Sequence, residues 1–461
     1  MLLKKFVDRT EELSFLEEHY KSNRSEFIII YGRRRVGKTE LIKQFIRGKV
    51  AFYFLAKKQK LDIELVRLRD TFSRMFGVWI KPSDSWEDVF KEILNVMESR
   101  TRNKCIIVID EFSYWLEKDE RILYTFQALW DELFSKHNVM LILMGSSVSI
   151  MSSSVLNYKS PLYGRRTSQW GLEPLKFYHL REFYPRYTFE DIIKVFGCTG
   201  GIPYYLIQFD DTHTFMENIR RLFFSKGGIF FEEGEILLKE ELREPYVYLD
   251  ILRAISEGRT KRAEIANAAG VDITNISKYL NTLEKLGIIV RKYPVVGVPR
   301  KSKYAQIKIK DLFFNFWLRF VYPFKEEISL DIYNIAQFEE SFSRYMGYVF
   351  EEIALQSLIK LMKNNKFIKF NKIGSWWFKD VEIDILALDS MSKTIIFGEC
   401  KWSDNIDPKK LLKELCKKQE HVSLPWEPSA MYYVLFAKSF NTAMDEPNVF
   451  IFDLNKLEQL F

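Results

Sequence analysis

The chain has 461 residues, 47% hydrophobic and 28% charged, with a formal net charge of +7. At roughly 100–200 residues per domain, that length and balance point to two to four domains with real cores. No run reaches the ~18–20 uninterrupted apolar residues of a membrane span. The first residues lack the apolar core of a signal peptide, and four scattered cysteines without CxxC spacing exclude a zinc or disulfide framework and fit a reducing cytoplasm.

Glu26–Tyr31, Lys104–Ile109 and Val139–Met144 are apolar at nearly every position, as parallel strands buried on both faces are. With amphipathic helices between them they predict an α/β domain over residues 1–170. The first strand runs into Gly32-Arg33-Arg34-Arg35-Val36-Gly37-Lys38-Thr39, a complete GxxxxGK[ST] phosphate loop, and a helix-like stretch follows. That strand–loop–helix context supports the motif. The loop N–H groups are expected to curl around the phosphates of ATP, Lys38 to reach the β- and γ-phosphates, and Thr39 to ligate Mg²⁺. The second strand ends in Asp110-Glu111. Asp110 is expected in the magnesium shell, and Glu111 to polarise the attacking water. The third runs into Gly145-Ser146-Ser147, where Ser146 either meets the γ-phosphate or lytic water or makes a simple turn.

Residues 171–244 read as helical, broken at Gly200–Pro203. Residues 245–325 read as three short helices and a β-hairpin, similar to a winged helix-turn-helix. Thr260 suits an N-cap, and Gly270 and Gly287 suit helix stops. The third helix, over 275–286, is expected in a DNA major groove with Thr274, Asn275, Ser277 and Lys278 on its polar face. Pro245 to Lys325 holds 15 Lys/Arg against 6 Asp/Glu, and Gly287 to Lys310 holds seven Lys/Arg and no acid. Arg291, Lys292, Arg300, Lys301 and Lys303 would thus lie along phosphates, giving affinity more than sequence preference. A protein-adaptor role for the same module stays open. The aromatic run Phe313–Phe324 reads as core.

Residues 326–461 return to mixed α/β. Glu351 stands on a helix-like stretch, Asp384 on one predicted strand and Glu399-Cys400-Lys401 on the next. This is the ordered pattern of the PD-(D/E)xK nuclease fold. Alternate strand residues share a face, so Glu399 and Lys401 point together while Cys400 faces the core. Asp384 and Glu399 would hold Mg²⁺ with waters, Lys401 would orient the attacking water, and Glu351 would support the metal from the helix.

The first half of the chain resembles the archaeal ATPase family within the AAA+/STAND branch of P-loop NTPases. The resemblance is carried by Phe6-Val-Asp-Arg9-Thr-Glu11-Glu-Leu13, the phosphate loop, Asp110-Glu111, Gly145–Ser147, Ser160–Arg166 and Thr199–Leu206. It implies that the Arg9 segment lines the adenine pocket and that Arg165 or Arg166 acts as an arginine finger or sensor. It also implies that Gly201 and Pro203 form a turn touching the base. The C-terminal stretch resembles the domain of unknown function that commonly follows this module. The expectation is a multidomain α/β protein: a P-loop NTPase parallel sheet, a helical lid, a winged helix and a restriction-endonuclease-like α/β domain. It would be a cytoplasmic, magnesium-dependent ATPase that engages DNA and carries a nuclease-like site. The alternative is a non-cleaving STAND-type signalling or transcriptional switch. Assembly with a second copy, or with a protein partner through the winged helix, stays open.

Overall fold

Five short runs, β1 (Glu26–Tyr31), β2 (Ala51–Leu55), β3 (Cys105–Asp110), β4 (Val139–Gly145) and β5 (Ser168–Gly171), form a sheet in the order β2-β3-β4-β1-β5. Every pairing in it is parallel. The computed structural model describes residues 6–297 and 305–461. Its chain divides into two units, Met1–Pro174 with Ile202–Tyr204, and Leu175–Gly201 with Tyr205–Phe461. The sheet belongs to the first. β1, β3 and β4 are buried almost throughout, which is why they read as continuous apolar runs. Phe27 and Ile29 pack into one core and Ile28 and Ile30 into the other, the period-two alternation of a strand with helices on both faces.

The register decides where the chemistry falls. Tyr31 pairs with Gly145, and Leu55 with Asp110. The carboxyl ends of β1, β3 and β4 therefore finish at one edge of the sheet. Open α/β sheets bind ligands at that edge.

In the second unit, helices Phe189–Thr199, Phe215–Leu222 and Glu233–Glu241 precede three helices, Pro245–Ser256, Arg262–Ala268 and Ile276–Lys285. These run into an antiparallel pair, β6 (Ile289–Lys292) and β7 (Gln306–Ile309). The aromatic run forms helix Leu312–Phe320, in which only Arg319 escapes burial. Trp317 donates its indole N–H to the Phe231 carbonyl at 3.0 Å, and Phe313 stacks on Tyr205. The expected core run Phe313–Phe324 is core as far as Val321, apart from Arg319, while Tyr322–Phe324 is not buried.

A second sheet follows: β8 (Lys372–Phe378), β9 (Val381–Asp389), β10 (Thr394–Lys401), β11 (Ala430–Ala437) and β12 (Val449–Phe452), in the order β12-β11-β10-β9-β8. It is mixed. β8, β9 and β10 pair antiparallel, while β10, β11 and β12 pair parallel. Parallel neighbours need a crossover, and helix Pro408–Gln419 supplies it between β10 and β11, capped by the Asp407 carboxylate. Helix Ile335–Lys363 leads into this sheet. Tyr345 on it donates to the carbonyls of Gly197 and Leu312. Among the described residues no helix is long and apolar enough to cross a membrane.

Candidate nucleotide site and carboxylate cavity

The phosphate loop turns sharply where β1 ends. A Cβ on Gly32 would lie 2.6 Å from the Leu172 carbonyl oxygen, so only glycine fits there. Lys38 is buried, and its ammonium donates to the carbonyls of Gly32 at 2.8 Å and Arg33 at 3.0 Å. The Thr39 hydroxyl donates to Asp110 Oδ2 at 2.8 Å, and the Tyr53 hydroxyl reaches the same oxygen at 2.5 Å. Asp110 Oδ1 accepts the N–H of Glu111 at 2.9 Å. Burial pushes the Asp110 carboxyl above its ordinary range, against the pull of its bonds to Tyr53 and Thr39. Burial and the adjacent Asp110 hold the Tyr53 phenol well above its own range. A threonine hydroxyl and a carboxylate in hydrogen-bond contact at a strand tip are two hard oxygen donors side by side, a set that suits Mg²⁺.

Glu111 has φ 56°, in the left-handed region. Its Oε2 accepts from both the hydroxyl of Ser146 at 2.6 Å and the Ser146 N–H at 3.2 Å. The structure thus brings Ser146 to the second acid of β3.

Arg9 is buried beside the loop and donates to the Val36 carbonyl at 3.0 Å while pairing with Glu12. Pro203 lies 3.7 Å from the position of a Gly37 Cβ. The Arg35 guanidinium sits 4.5 Å over the Tyr204 ring. Gly201 belongs to the other unit; its φ is +74°, and a Cβ there would meet the Leu175 carbonyl oxygen at 2.0 Å. Arg165 grips Asp131 in a two-pronged pair, Nε–Oδ1 2.9 Å and NH2–Oδ2 2.7 Å. Arg166 donates to the Val155 carbonyl and lies over Tyr163. Arg165 is therefore tied to the helical stretch Leu129–Leu133, and Arg166 to the end of Met151–Val155.

In the second sheet, Gly398 pairs with Ile385. Continuing that antiparallel register by one residue sets Asp384 opposite Glu399, where side chains share a face. Asp384 Oδ2 accepts the Cys400 N–H at 2.8 Å, and the Cys400 side chain is buried. Glu399 is only 2% exposed. Its oxygens accept from Lys418 at 2.6 and 2.8 Å and from Lys401 at 2.9 Å. Burial works against the Lys401 charge, but its bond to Glu399 prevails and raises its pKa. Burial, with Glu399 beside it, pushes Asp384 up to about 6. Burial, with Asp384 nearby, pushes Glu351 up to about 8. The expected four residues are therefore electrostatically one cluster.

Among the described residues no three His, Cys, Asp or Glu side chains gather closely enough to hold a metal ion. Mg²⁺ is bound in proteins through one or two carboxylates and several waters, so Asp384 and Glu399 suffice in number. An ion at Glu399 must displace the ammonium of Lys418.

Glu351 and Asp384 line a cavity of about 270 Å³ together with Lys292, Tyr293, Tyr348 and Lys372. This alters the expected phosphate-facing wing. Lys292 turns toward that cavity, 6.0 Å from the Tyr348 ring. Arg291 binds Glu284 at 2.5 Å and Asn281 at 2.6 Å, both on helix Ile276–Lys285, and is held away from a free phosphate surface. Lys278 is exposed on the same helix, as expected. Arg300, Lys301 and Lys303 lie outside the described residues.

Three residues escaped sequence reading. Tyr53 shares a strand face with Leu55, the partner of Asp110, so a hydroxyl inside the apolar run of β2 was its signal. Tyr204 and Lys418 carry no sequence signal, because their partners are set by tertiary packing.

Comparisons with known proteins agree with this architecture. Residues 6–209 match an ATPase domain predominantly from Archaea, and residues 244–304 match a winged helix-turn-helix. Residues 317–418 match archaeal and bacterial proteins of unknown function. The uncharacterized protein MJECL04 of Methanocaldococcus jannaschii is 35% identical over 454 residues, 97% of this chain and 99% of that one.

The chain belongs to this archaeal ATPase family.

An uncharacterized ATP-binding protein of the same organism, MJ0423, is 59% identical over 44 residues, 10% of this chain and 75% of that one. The Walker-type ATPase PABY2304 of Pyrococcus abyssi shares the fold at a TM-score of 0.54 and 22% identity, over 69% of this chain and 99% of that one. The chain therefore combines the family's ATPase domain and a winged helix with a C-terminal domain built on a mixed sheet.

Proposed function

We propose that the chain is a magnesium-dependent ATPase that engages DNA through its winged helix and uses its C-terminal domain as a phosphodiester-cleaving site under nucleotide control. The observation that carries the ATPase reading is the paired contact at the sheet edge, Thr39 to Asp110 and Ser146 to Glu111. Lys38 and the loop N–H groups bind the β- and γ-phosphates, and Thr39 and Asp110 hold Mg²⁺, which supplies charge to the transferring phosphoryl group. Glu111 accepts the proton of the attacking water, aimed by Ser146. Arg9, Arg33, Arg34, Arg35, Val36 and Pro203 complete the nucleotide site, and Arg165 or Arg166 serves as its arginine finger or sensor. The domains run 1–170, 171–244, 245–325 and 326–461, and four free thiols suit a cytoplasmic setting.

In the C-terminal domain, the adjacency of Asp384, Glu399 and Lys401 supports a restriction-endonuclease-like fold. Asp384 and Glu399 are the metal-holding carboxylates, the ion supplying Lewis-acid charge when bound. Lys401 orients the water, and Glu351 supports the pair from the long helix. The test is hydrolysis of ATP and cleavage of plasmid, linear and single-stranded DNA, each with and without divalent metal. Asp384→Ala should abolish cleavage and spare ATP hydrolysis. A parent protein that cuts nothing would overturn the cleaving part.

A second reading, a non-cleaving STAND-type switch, is favoured by one observation: both Glu399 oxygens already carry lysine ammoniums. Under that reading no divalent ion binds at Asp384 and Glu399 in calorimetry.

A further inference from the structure

Residues Pro294–Val296, which follow β6, do not stand clear of the C-terminal domain. The Val295 N–H donates to the Ser375 carbonyl at 3.2 Å, and Lys372 donates back to the Val295 carbonyl. Ser375 is available because β8 shifts register between Gly374 and Trp376, leaving it out of the ladder with β9. Val295 and Val296 are buried in one core with Trp376, Ile383 and Leu386. This short strap closes one side of the cavity that holds Glu351 and Asp384.

Of the carboxyl and ammonium groups lining that cavity, those of Lys292, Glu351, Glu352, Lys372 and Asp384, two have no hydrogen-bond or ion-pair partner among the described residues. Glu351 makes no hydrogen bond or ion pair. Lys292 lies 6.0 Å from the centre of the Tyr348 ring and forms no ion pair, although its charge lies close enough to favour ionised Glu351. A half-buried acid and a cation left without partners on one cavity wall are groups arranged for a ligand. Tyr293 and Tyr348 belong to the same lining.

We propose, resting on the phosphodiester-site reading above, that the wing and the C-terminal sheet form one composite substrate site. In it Lys292 positions the phosphate of a single nucleic-acid strand that enters the cavity beside the strap. A duplex, with a major groove alone about 12 Å wide, does not enter a cavity of about 270 Å³. A single strand does, and sites for single strands combine cations tracking the backbone with aromatic faces for the bases. The wing is then part of the C-terminal site, and the substrate class is an unpaired strand.

The test uses the full chain carrying Asp384→Asn, so that bound strand is not consumed, and fluorescein-labelled 12-mers as single strand, duplex and ribo-strand, followed by anisotropy across a salt series. The duplex, which the winged helix also engages, is expected to bind with an affinity that Lys292→Ala leaves unchanged. Lys292→Ala is expected to weaken single-strand binding about tenfold and to lower the salt slope by roughly 0.7 for the lost phosphate contact. Lys292→Arg should keep the slope, which a purely structural role would not require. The ribo-strand shows whether the 2′-hydroxyl matters to the site. A Lys292→Ala variant that weakens duplex and single-strand binding alike, or that leaves the single-strand slope unchanged, overturns the proposal. If that happens while Asp384→Ala still abolishes cleavage, only the composite site falls. If the parent cuts nothing yet Lys292 governs single-strand binding, the composite site stands without the cleavage reading.

Discussion

Glu111 and Ser146 are joined twice at one oxygen: the hydroxyl and the N–H of Ser146 both donate to Glu111 Oε2, at 2.6 and 3.2 Å. Ser146→Ala removes the shorter bond and leaves Glu111 less fixed. Turnover is expected to fall about tenfold with ATP affinity unchanged. Glu111→Gln should cost more, within the ~10²–10⁴-fold typical of a lost general base. Phosphate release and calorimetry on the two variants check the split. Lys38→Ala should abolish tight ATP binding instead, and normal binding by it would remove the phosphate-loop reading.

Tyr53→Phe deletes a hydrogen bond to buried Asp110. Bonds to charged groups are worth about 1.5–3 kcal/mol. The variant should lose about that much stability in urea, with the same slope, and need more Mg²⁺ for half-maximal hydrolysis. A stability loss without any change in the Mg²⁺ requirement would make Tyr53 a purely structural partner.

Arg165 is tied to Asp131 in a partly exposed pair. Such pairs contribute about 0–1 kcal/mol, so Arg165→Ala should barely shift the unfolding midpoint. If it also acts on a neighbouring molecule's nucleotide, turnover will drop by ~10³ or more and depend on protein concentration. Turnover unchanged at every concentration removes the finger role.

Asp384 and Glu351 have folded pKa values of about 6 and about 8, both raised from ordinary carboxyl values. The folded chain thus holds more protons than the unfolded one between pH ~4 and ~8, and stability falls as pH rises through that window. It should level off above pH 8. Glu351→Gln should flatten the upper part of the curve, from about pH 6 to 8. Chemical denaturation at pH 5, 6.5 and 8 in metal-free buffer measures this, and stability that rises with pH there would contradict it.

Lys418→Met removes the ammonium that binds both oxygens of Glu399. Mn²⁺ is expected to bind the variant more tightly than the parent in calorimetry, and Asp384→Ala should abolish that binding. Equal affinities would mean that Lys418 does not compete with an ion.

The sequence made β1, β3 and β4 legible because their side chains are buried on both faces, and it made the phosphate loop legible because the motif is complete. β2 and β5 were missed because they are edge strands, and β5 has only four residues with alternating burial. Asp384 and Glu399 could be matched from strand alternation alone, since both lie near the facing ends of one antiparallel pair. The fate of Arg291 and Lys292 was not legible. Both are basic residues on a wing strand, yet Glu284 and Asn281 capture one while the strap bound at Ser375 carries the other to a cavity. Lys418 reaches Glu399 only because a crossover helix brings it back over β10.

Ile202–Tyr204 belongs to the nucleotide unit although the chain on either side belongs to the other. The nucleotide unit is therefore not one unbroken stretch of chain. A fragment ending at Pro174 contains the whole first sheet and every phosphate-loop residue, yet lacks the proline beside Gly37 and the tyrosine under Arg35. A fragment that keeps the complete loop environment must run to at least Tyr204.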